Sequence, residues 1–313
     1  MRIAVVTPAP PGTTRGNRRS ALRYAALLRQ LGHTVRILQR WTGGSHDLLV
    51  ALHAQRSRAS VEDFARAHPG RPIIVVLTGT DLYGGLGAGG RRVLERATRL
   101  VVLQPEALRE LDARTRRKAT VILQSAVAAP RRPRGSRRGF RVVALGHLRA
   151  VKDPFLLAEA AQRLPHSSRI EVLHAGEALD AAHLRGARAR SKRGSRWRWT
   201  GPRRHAAALR LLASADLFVQ TSIAEGGSIA LAEAVVSGLP ILATRIPAAL
   251  GMLGPRHPGL FPVGDAQALA GLLLRAETDA RFRTRLARAS RELAPVFTPD
   301  RERAAWRRLL ARL

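Results

Sequence analysis

The chain has 313 residues, 45% of them hydrophobic, 24% charged and only 4% aromatic, which leaves room for two buried cores and excludes both a single small module and a largely disordered protein. It contains no cysteine, so disulfides, thiolate metal sites and cysteine nucleophiles are excluded, and its ten histidines show no tight ligand spacing, so no metal and no cofactor is expected. The formal net charge is +32, carried by 54 basic residues of which three are lysine (Lys118, Lys152, Lys192) and the other 51 arginine; it points to nucleic acid, an anionic membrane or a phosphate-rich substrate without choosing among them.

Met1–Val6 reads as a buried strand. The apolar run is stopped by Pro8 and Pro10, too short for a signal-peptide core or a membrane span, so a cytoplasmic location without a transmembrane segment is expected. A loop over Thr7–Arg19 leads into a helix over Ser20–Leu31, with Leu22, Ala25, Leu28 and Leu31 at helical spacing and Gly32 as its stop. Apolar strand-type runs follow at Thr34–Leu38, Leu48–Leu52, Ile73–Leu77, Leu100–Leu103 and Val121–Leu123. The Pro/Gly/Arg-rich stretch 129–139 has no apolar periodicity and marks a linker after a first domain at 1–128.

A second α/β series begins at 140. Strands are expected at Phe140–Leu145, Ile170–Ala175, Arg196–Thr200, Leu217–Thr221 and Ile241–Ala243, and helices at Pro154–Leu164, Ala206–Ala213 and Ile229–Ser237. A helical tail, Ala266–Leu293, breaks near Pro295 and Pro299, and Arg301–Leu313 carries an apolar stripe. The fold class is therefore α/β: two Rossmann-like, doubly wound domains at 1–128 and 140–295, whose facing strand ends would frame a ligand cleft.

Two segments carry the chemistry. In TSIAEGGSIALAEAVVSGLP (Thr221–Pro240) a strand ends, Glu225, Gly226, Gly227 and Ser228 form a loop, and a helix follows. Ser228 is a good N-cap, the glycines allow close backbone approach, and the helix N-terminus suits a phosphate. Glu225 could reach a neutral polar ligand and Glu233, inside the helix, could accept from hydroxyls; a capped amphipathic helix with one solvated Glu is the alternative reading. In GHLRAVKDP (Gly146–Pro154), His147, Arg149 and Lys152 bring three potential cations to a strand-to-helix loop where a diphosphate can be held; a solvated basic turn is the alternative.

The spacing of Glu225 and Glu233, followed by Gly238-Leu239-Pro240 and preceded some eighty residues earlier by a Gly–loop–Lys element, resembles the nucleotide-sugar domain of GT-B glycosyltransferases of family 4. More narrowly, GNRRSALRYA (Gly16–Ala25), VALHAQRS (Val50–Ser57), LTGTDLY (Leu77–Tyr83), GHLRAVKDPF (Gly146–Phe155) and FPVGD (Phe261–Asp265) resemble the selenosugar synthases of selenoneine biosynthesis, over nearly the whole chain. That resemblance implies transfer of a sugar from a UDP-sugar, typically UDP-N-acetylglucosamine, to selenophosphate, with a carbon–selenium bond formed. It also implies that Glu233 binds the UDP ribose hydroxyls, that Glu225 and the amides of Gly226, Gly227 and Ser228 bind the donor sugar, and that Lys152 with Arg149 binds the diphosphate. Thr200, Gly201 and Arg203 would form the uracil-side loop. Family-4 enzymes usually carry Arg five residues before the Lys; His147 stands there instead, so the diphosphate clamp leans on Arg149. The helix at 296–313 is expected, on the same resemblance, to pack back toward the first domain.

Charge left on the departing β-phosphate calls for fixed donors, and Lys152, Arg149 and Gly227 are the candidates. Selenophosphate is an anionic soft nucleophile that needs no general base but does need a cationic pocket. Arg15, Gly16, Asn17 and Arg18, at the carboxyl end of the first strand, offer one, and His53, Thr80 and Asp81 follow apolar strands toward the same side. Two other readings stay open: a family-4 enzyme acting on a hydroxyl of a lipid or polysaccharide, and a basic nucleic-acid-binding protein. Low aromatic content and the lack of any helix-turn-helix, zinc-finger or RRM signature argue against specific nucleic-acid recognition, and non-specific polyanion binding in vitro is expected.

Overall fold

The computed structural model describes residues 1–13, 15–130 and 139–313; residues 131–138 of the expected linker, and Thr14 of the expected loop before the first helix, lie outside the described residues. The chain divides into two compact units, Met1–Ser125 with Glu225–Gly227 and Pro299–Leu313, and Ala126–Ala224 with Ser228–Thr298.

The first unit runs β1 (Arg2–Val6), α1 (Gly16–Gln30), β2 (Thr34–Leu38), β3 (Leu48–Leu52), α2 (Arg58–Ala67), β4 (Ile73–Val76), α3 (Thr80–Tyr83), α4 (Ala88–Arg96), β5 (Arg99–Val102), α5 (Ala113–Lys118) and β6 (Ala119–Val121). All six strands are parallel, in the order β2-β1-β3-β4-β5-β6. Unbroken apolar runs such as LLVAL in β3 and IIVV in β4 are buried along their whole length, as a parallel sheet covered on both faces requires. Successive side chains point to opposite faces. Ile3, Val5, Leu48 and Val50 therefore join one core with Tyr24 and Leu28 of α1, while Ala4, Val6, Leu49 and Ala51 join another with Val61 and Phe64 of α2.

A final helix, later in the chain, completes the first of these cores with Trp306, which has no exposure and whose ring centroid lies 5.0 Å from that of Tyr24. The same helix carries Glu302, buried, which accepts from Ser125 N at 2.7 Å and forms an ion pair with Arg23 at 3.2 Å.

The second unit continues with β7 (Phe140–Leu145), α6 (Leu156–Gln162), β8 (Ile170–Ala175), α7 (Ala181–Arg190), β9 (Trp197–Trp199), α8 (His205–Ala213), β10 (Leu217–Gln220), α9 (Ile229–Val236), β11 (Ile241–Thr244), α10 (Pro247–Leu253), β12 (Leu260–Phe261), α11 (Ala266–Thr278) and α12 (Ala280–Leu293). The Trp306 helix of the first unit is α13 (Pro299–Leu310). The second sheet is again all parallel, in the order β12-β11-β10-β7-β8-β9, with β7 and β8 in register from Phe140↔Ile170 to Leu145↔Ala175. From β7 the chain moves one way to β8 and β9, then crosses back to β10 and continues the other way to β11 and β12. Right-handed crossovers place α6 and α7 on one face and α8 and α9 on the other. The point between β7 and β10 is the switch point where such sheets bind ligands at their carboxyl ends.

Both units are the parallel-sheet Rossmann-like domains that the alternation of strands and helices implied. Several element ends differ from expectation. Helix α1 starts at Gly16, not Ser20, because GNRR contains no apolar residue to mark the turn, so Gly16, Asn17 and Arg18 are helical rather than loop. The expected helix Ala266–Leu293 is two helices, divided at Asp279, whose side chain accepts from Phe282 N at 2.9 Å and caps α12. Strand β6 lies at Ala119–Val121 rather than Val121–Leu123, and α6 is shorter than the expected Pro154–Leu164.

Candidate functional site

In the second unit the carboxyl ends of β7, β8, β9 and β10 are tied to one another by backbone bonds. Gly146, the first residue after β7, donates its N–H to Ala175 O at 3.0 Å, Gly176 N donates to Gly201 O at 3.0 Å, and Thr200 N donates to His174 O at 2.8 Å. Gly176 is required by sterics: a Cβ there would overlap the Gly146 carbonyl group and lie 3.0 Å from His147 N. His147 is held at this junction, its Nδ1 accepting from Glu177 N at 3.2 Å.

Arg149 then opens a three-residue 3-10 turn, Ala150–Lys152, and Asp153 closes it in the left-handed region at φ +40°. Thr221, just past β10, donates its hydroxyl to the carbonyls of Lys152 and Asp153 at 3.0 and 2.8 Å, and Ile223 N donates to Val151 O at 2.9 Å. The Lys152 loop and the segment leading to α9 are thus joined at the switch point. Burial pushes the pKa of Asp153 up.

Arg149 carries a buried Nε with no hydrogen-bond partner among the described residues. Beneath the loop lies His174, fully buried, whose Nε2 bonds Gly146 O at 3.1 Å. Burial drives its pKa down to about 4, with the charge of Lys152 acting in the same direction, so this imidazole is neutral and the cation above it stands without a second positive charge below.

Ser228 caps α9, its hydroxyl accepting from Leu231 N at 3.2 Å. One turn on, Glu233 is 2% exposed and accepts from His205 Nε2 at 2.8 Å. Because an ionised carboxylate only accepts, the imidazole proton is on Nε2. His205 had no signal in the sequence: it is a lone histidine at the first residue of α8, and only the fold brings it to Glu233.

Thr200 and Gly201 (φ +73°) sit at the end of β9 in this backbone network. Arg203 follows two residues after Gly201. It lines a pocket of about 340 Å³ with Arg141, Ala207, Arg210, Leu211 and Ser214, along α8.

The remaining candidates lie in the first unit. Glu225, Gly226 and Gly227 group there, and the missing Cβ atoms are used for packing: one on Gly226 would fall 2.6 Å from Gly79 N, and one on Gly227 would fall 2.8 Å from Leu103 Cβ. Gly79 itself has φ +124°, open to glycine alone. Asp81, 2% exposed, spends its carboxylate on backbone amides, accepting from Ala54 N and Thr78 N at 2.9 Å each and from Gly79 N at 2.8 Å, so it fixes the loops after β3 and β4.

His53 takes the left-handed conformation at φ +71°, donates from Nε2 to Thr80 Oγ1 at 3.0 Å and accepts from Arg56 N at 3.3 Å on Nδ1. Burial lowers its pKa, with the charge of Asp81 opposing. Among the described residues, His53 and Asp153 are the two non-glycine residues with positive φ. Each follows the carboxyl end of a strand at a switch point, where strain of order 1–3 kcal/mol is commonly found at functional positions. Arg15 is the exposed, extended N-cap of α1, with no side-chain cap and no acid in the first turn; Gly16 is exposed, and Asn17 and Arg18 are half-buried. Among the described residues no three His, Asp or Glu side chains group to hold a metal ion, and no helix is long and apolar enough to cross a membrane.

Comparison with known proteins agrees with this architecture. The fold superposes on Anabaena Alr3699/HepE, crystallised in complex with UDP and glucose, with a TM-score of 0.81 at 17% identity and full coverage of both chains. It superposes on the sucrose-phosphate synthase (tll1590) of Thermosynechococcus elongatus at 0.79 with 16% identity and full coverage of both, and on a glycosyltransferase from Rickettsia africae ESF-5 at 0.78 with 14% identity, covering 99% of this chain and 98% of that one. No curated protein matches the chain. At these identities the likeness establishes the fold, GT-B, and no more. The family model for glycosyl transferases group 1 matches residues 132–293, just over half the length and the unit holding the Lys152 loop and the capped α9, and the chain therefore belongs to the glycosyl transferases group 1 family.

Proposed function

We propose that the protein transfers a sugar from a UDP-sugar, UDP-N-acetylglucosamine by the resemblance of its motifs, to selenophosphate. In this reading residues 1–128 are the acceptor-side domain and 140–295 the nucleotide-sugar domain. The observation that carries the donor half is the loop after β7, where Lys152 and Arg149, the latter with a buried Nε lacking a partner among the described residues, stand at the switch point of the sheet. An oxygen of the UDP diphosphate is the acceptor that such donors fit. Glu233 receives the ribose hydroxyls, and the Thr200–Gly201 turn borders the base. Complexes of Alr3699/HepE with UDP and with UDP-glucose on the same fold support a uridine nucleotide as the donor carrier.

In the chemical step the selenium of selenophosphate attacks the anomeric carbon, the carbon–selenium bond forms, and the bond from that carbon to the UDP oxygen breaks with its electron pair leaving on the β-phosphate. Lys152 and Arg149 stabilise that developing charge. No general base is needed, because the nucleophile arrives already anionic. The N-terminus of the 15-residue α1, with Arg15, Asn17 and Arg18, no acid in its first turn and no side-chain cap, supports an oxyanion acceptor.

The test is UDP release from UDP-N-acetylglucosamine with selenophosphate, with phosphate and with no acceptor, and mass detection of the product. Release that requires selenophosphate and puts a selenium isotope pattern on the sugar is the expected result. Donor binding with release only toward lipid or polyol hydroxyls overturns the acceptor half, and failure to bind UDP overturns the donor half.

A further inference from the structure

Glu233 is 2% exposed, whereas the side chain of His205 that bonds it at 2.8 Å is 44% exposed. A buried carboxylate needs fixed donors to remain ionised in a defined orientation. His205 is the first residue of α8, and the N-cap before it, Arg204, makes no side-chain cap bond. The backbone of the Thr200–Gly201 turn, anchored on His174 and Gly176, sets where α8 begins. Both α8 and α9 lie on one face of the sheet, and the bond joins the first residue of α8 to the middle of α9.

We infer that His205 is a positioning residue for the nucleotide: its Nε2–H holds one oxygen of Glu233 and so fixes the orientation in which the carboxylate meets a vicinal diol. A carboxylate oxygen has two acceptor directions, so the imidazole bond and a ribose hydroxyl are compatible on the same group. This inference rests on the reading above that Glu233 receives the ribose.

The experiment is calorimetric titration of the full-length protein with UDP and with 2′,3′-dideoxy-UDP, for the wild type, Glu233→Gln, His205→Ala and His205→Gln, each variant checked for folding by thermal unfolding. Loss of an orienting bond to a charged group is expected to weaken UDP binding roughly tenfold in His205→Ala. The dideoxy nucleotide is expected to bind the wild type and His205→Ala alike, since it has no diol to be positioned for, and His205→Gln, whose amide also donates, recovers most of the UDP affinity. Equal weakening toward both nucleotides assigns His205 a purely structural role and overturns the inference. So does tighter UDP binding in His205→Ala, which makes the imidazole a competitor for the carboxylate, or unchanged UDP affinity in His205→Ala while Glu233→Gln binds poorly. Unchanged UDP affinity in Glu233→Gln overturns the ribose reading itself.

Discussion

Alanine at Gly176 tests whether the strand-end network of the second unit is as tightly packed as its geometry states. The added Cβ would overlap the Gly146 carbonyl group, backbone rather than the yielding end of a side chain, and would lie 3.0 Å from His147 N. Ordinary carbon contacts need about 3.5 Å, so the Gly146–His147 segment must retreat by roughly 1 Å or more. That retreat strains the Gly146 N to Ala175 O bond and the His174 Nε2 to Gly146 O bond, each worth about 1 kcal/mol. Overpacking adds about 1–3 kcal/mol. The sum, roughly 3–5 kcal/mol, is to be read from urea unfolding of Gly176→Ala against the wild type. Gly271→Ala is the control, because it lies in α11 with nothing within 4 Å of the new methyl, and alanine there stabilises by up to about 1 kcal/mol. Because the displaced segment leads directly to Arg149 and Lys152, UDP affinity should fall in Gly176→Ala and not in Gly271→Ala. A Gly176→Ala protein within about 0.5 kcal/mol of the wild type refutes the reasoning.

Lys152→Ala is expected to slow sugar transfer by roughly a hundredfold or more, measured as kcat for UDP release, with a smaller change in donor affinity. Trp306→Ala, in the fully buried face of α13, is expected to cost about 3–5 kcal/mol in chemical denaturation, since its ring packs on Tyr24 in the core of the first unit. His174 makes stability depend on pH: unfolded, its imidazole takes a proton below about 6.5, whereas folded it does so only near 4. The unfolded chain therefore binds more protons in that window, and stability is whole above pH 6.5 and falls by roughly 3 kcal/mol as the pH drops through it. Denaturation midpoints at pH 7 and pH 4.5 should differ less in His174→Asn than in the wild type. Ser228→Ala should lose about 1 kcal/mol with its cap bond, and Ser228→Gly only a few tenths.

β2, β3, β7 and β8 lie at their expected residues: β3 is apolar and buried throughout, whereas β2, with Val35 its one buried residue, is legible from the β-branched Thr34, Val35 and Ile37. Elements with neither an apolar stripe nor a β-branched run were not legible. Helix α7 has Ala187 as its one buried residue and gives no apolar stripe to read, and β12 has two residues. The first turn of α1 is polar and glycine-led, so its start was invisible although its chemistry, a cation-flanked helix N-terminus, was not.

Residue type and local position together single out Ser228 and Lys152 in the sequence, and the structure shows Ser228 capping α9. What sequence spacing does not report is which distant group a polar side chain meets. Asp81 shows this most plainly: its carboxylate reads either as an acceptor contact or as a cap of the segment beside it, and it accepts from the nearby amides of Thr78 and Gly79 and also from Ala54 N, 27 residues away. Glu233 shows the same in reverse, because its partner His205 lies 28 residues earlier in the chain. A buried carboxylate must be paired somewhere, so the existence of a partner for Glu233 follows from its place on the inner side of an apolar helix; only the right-handed return of the chain from β9 to β10 decides that the partner is the first residue of α8.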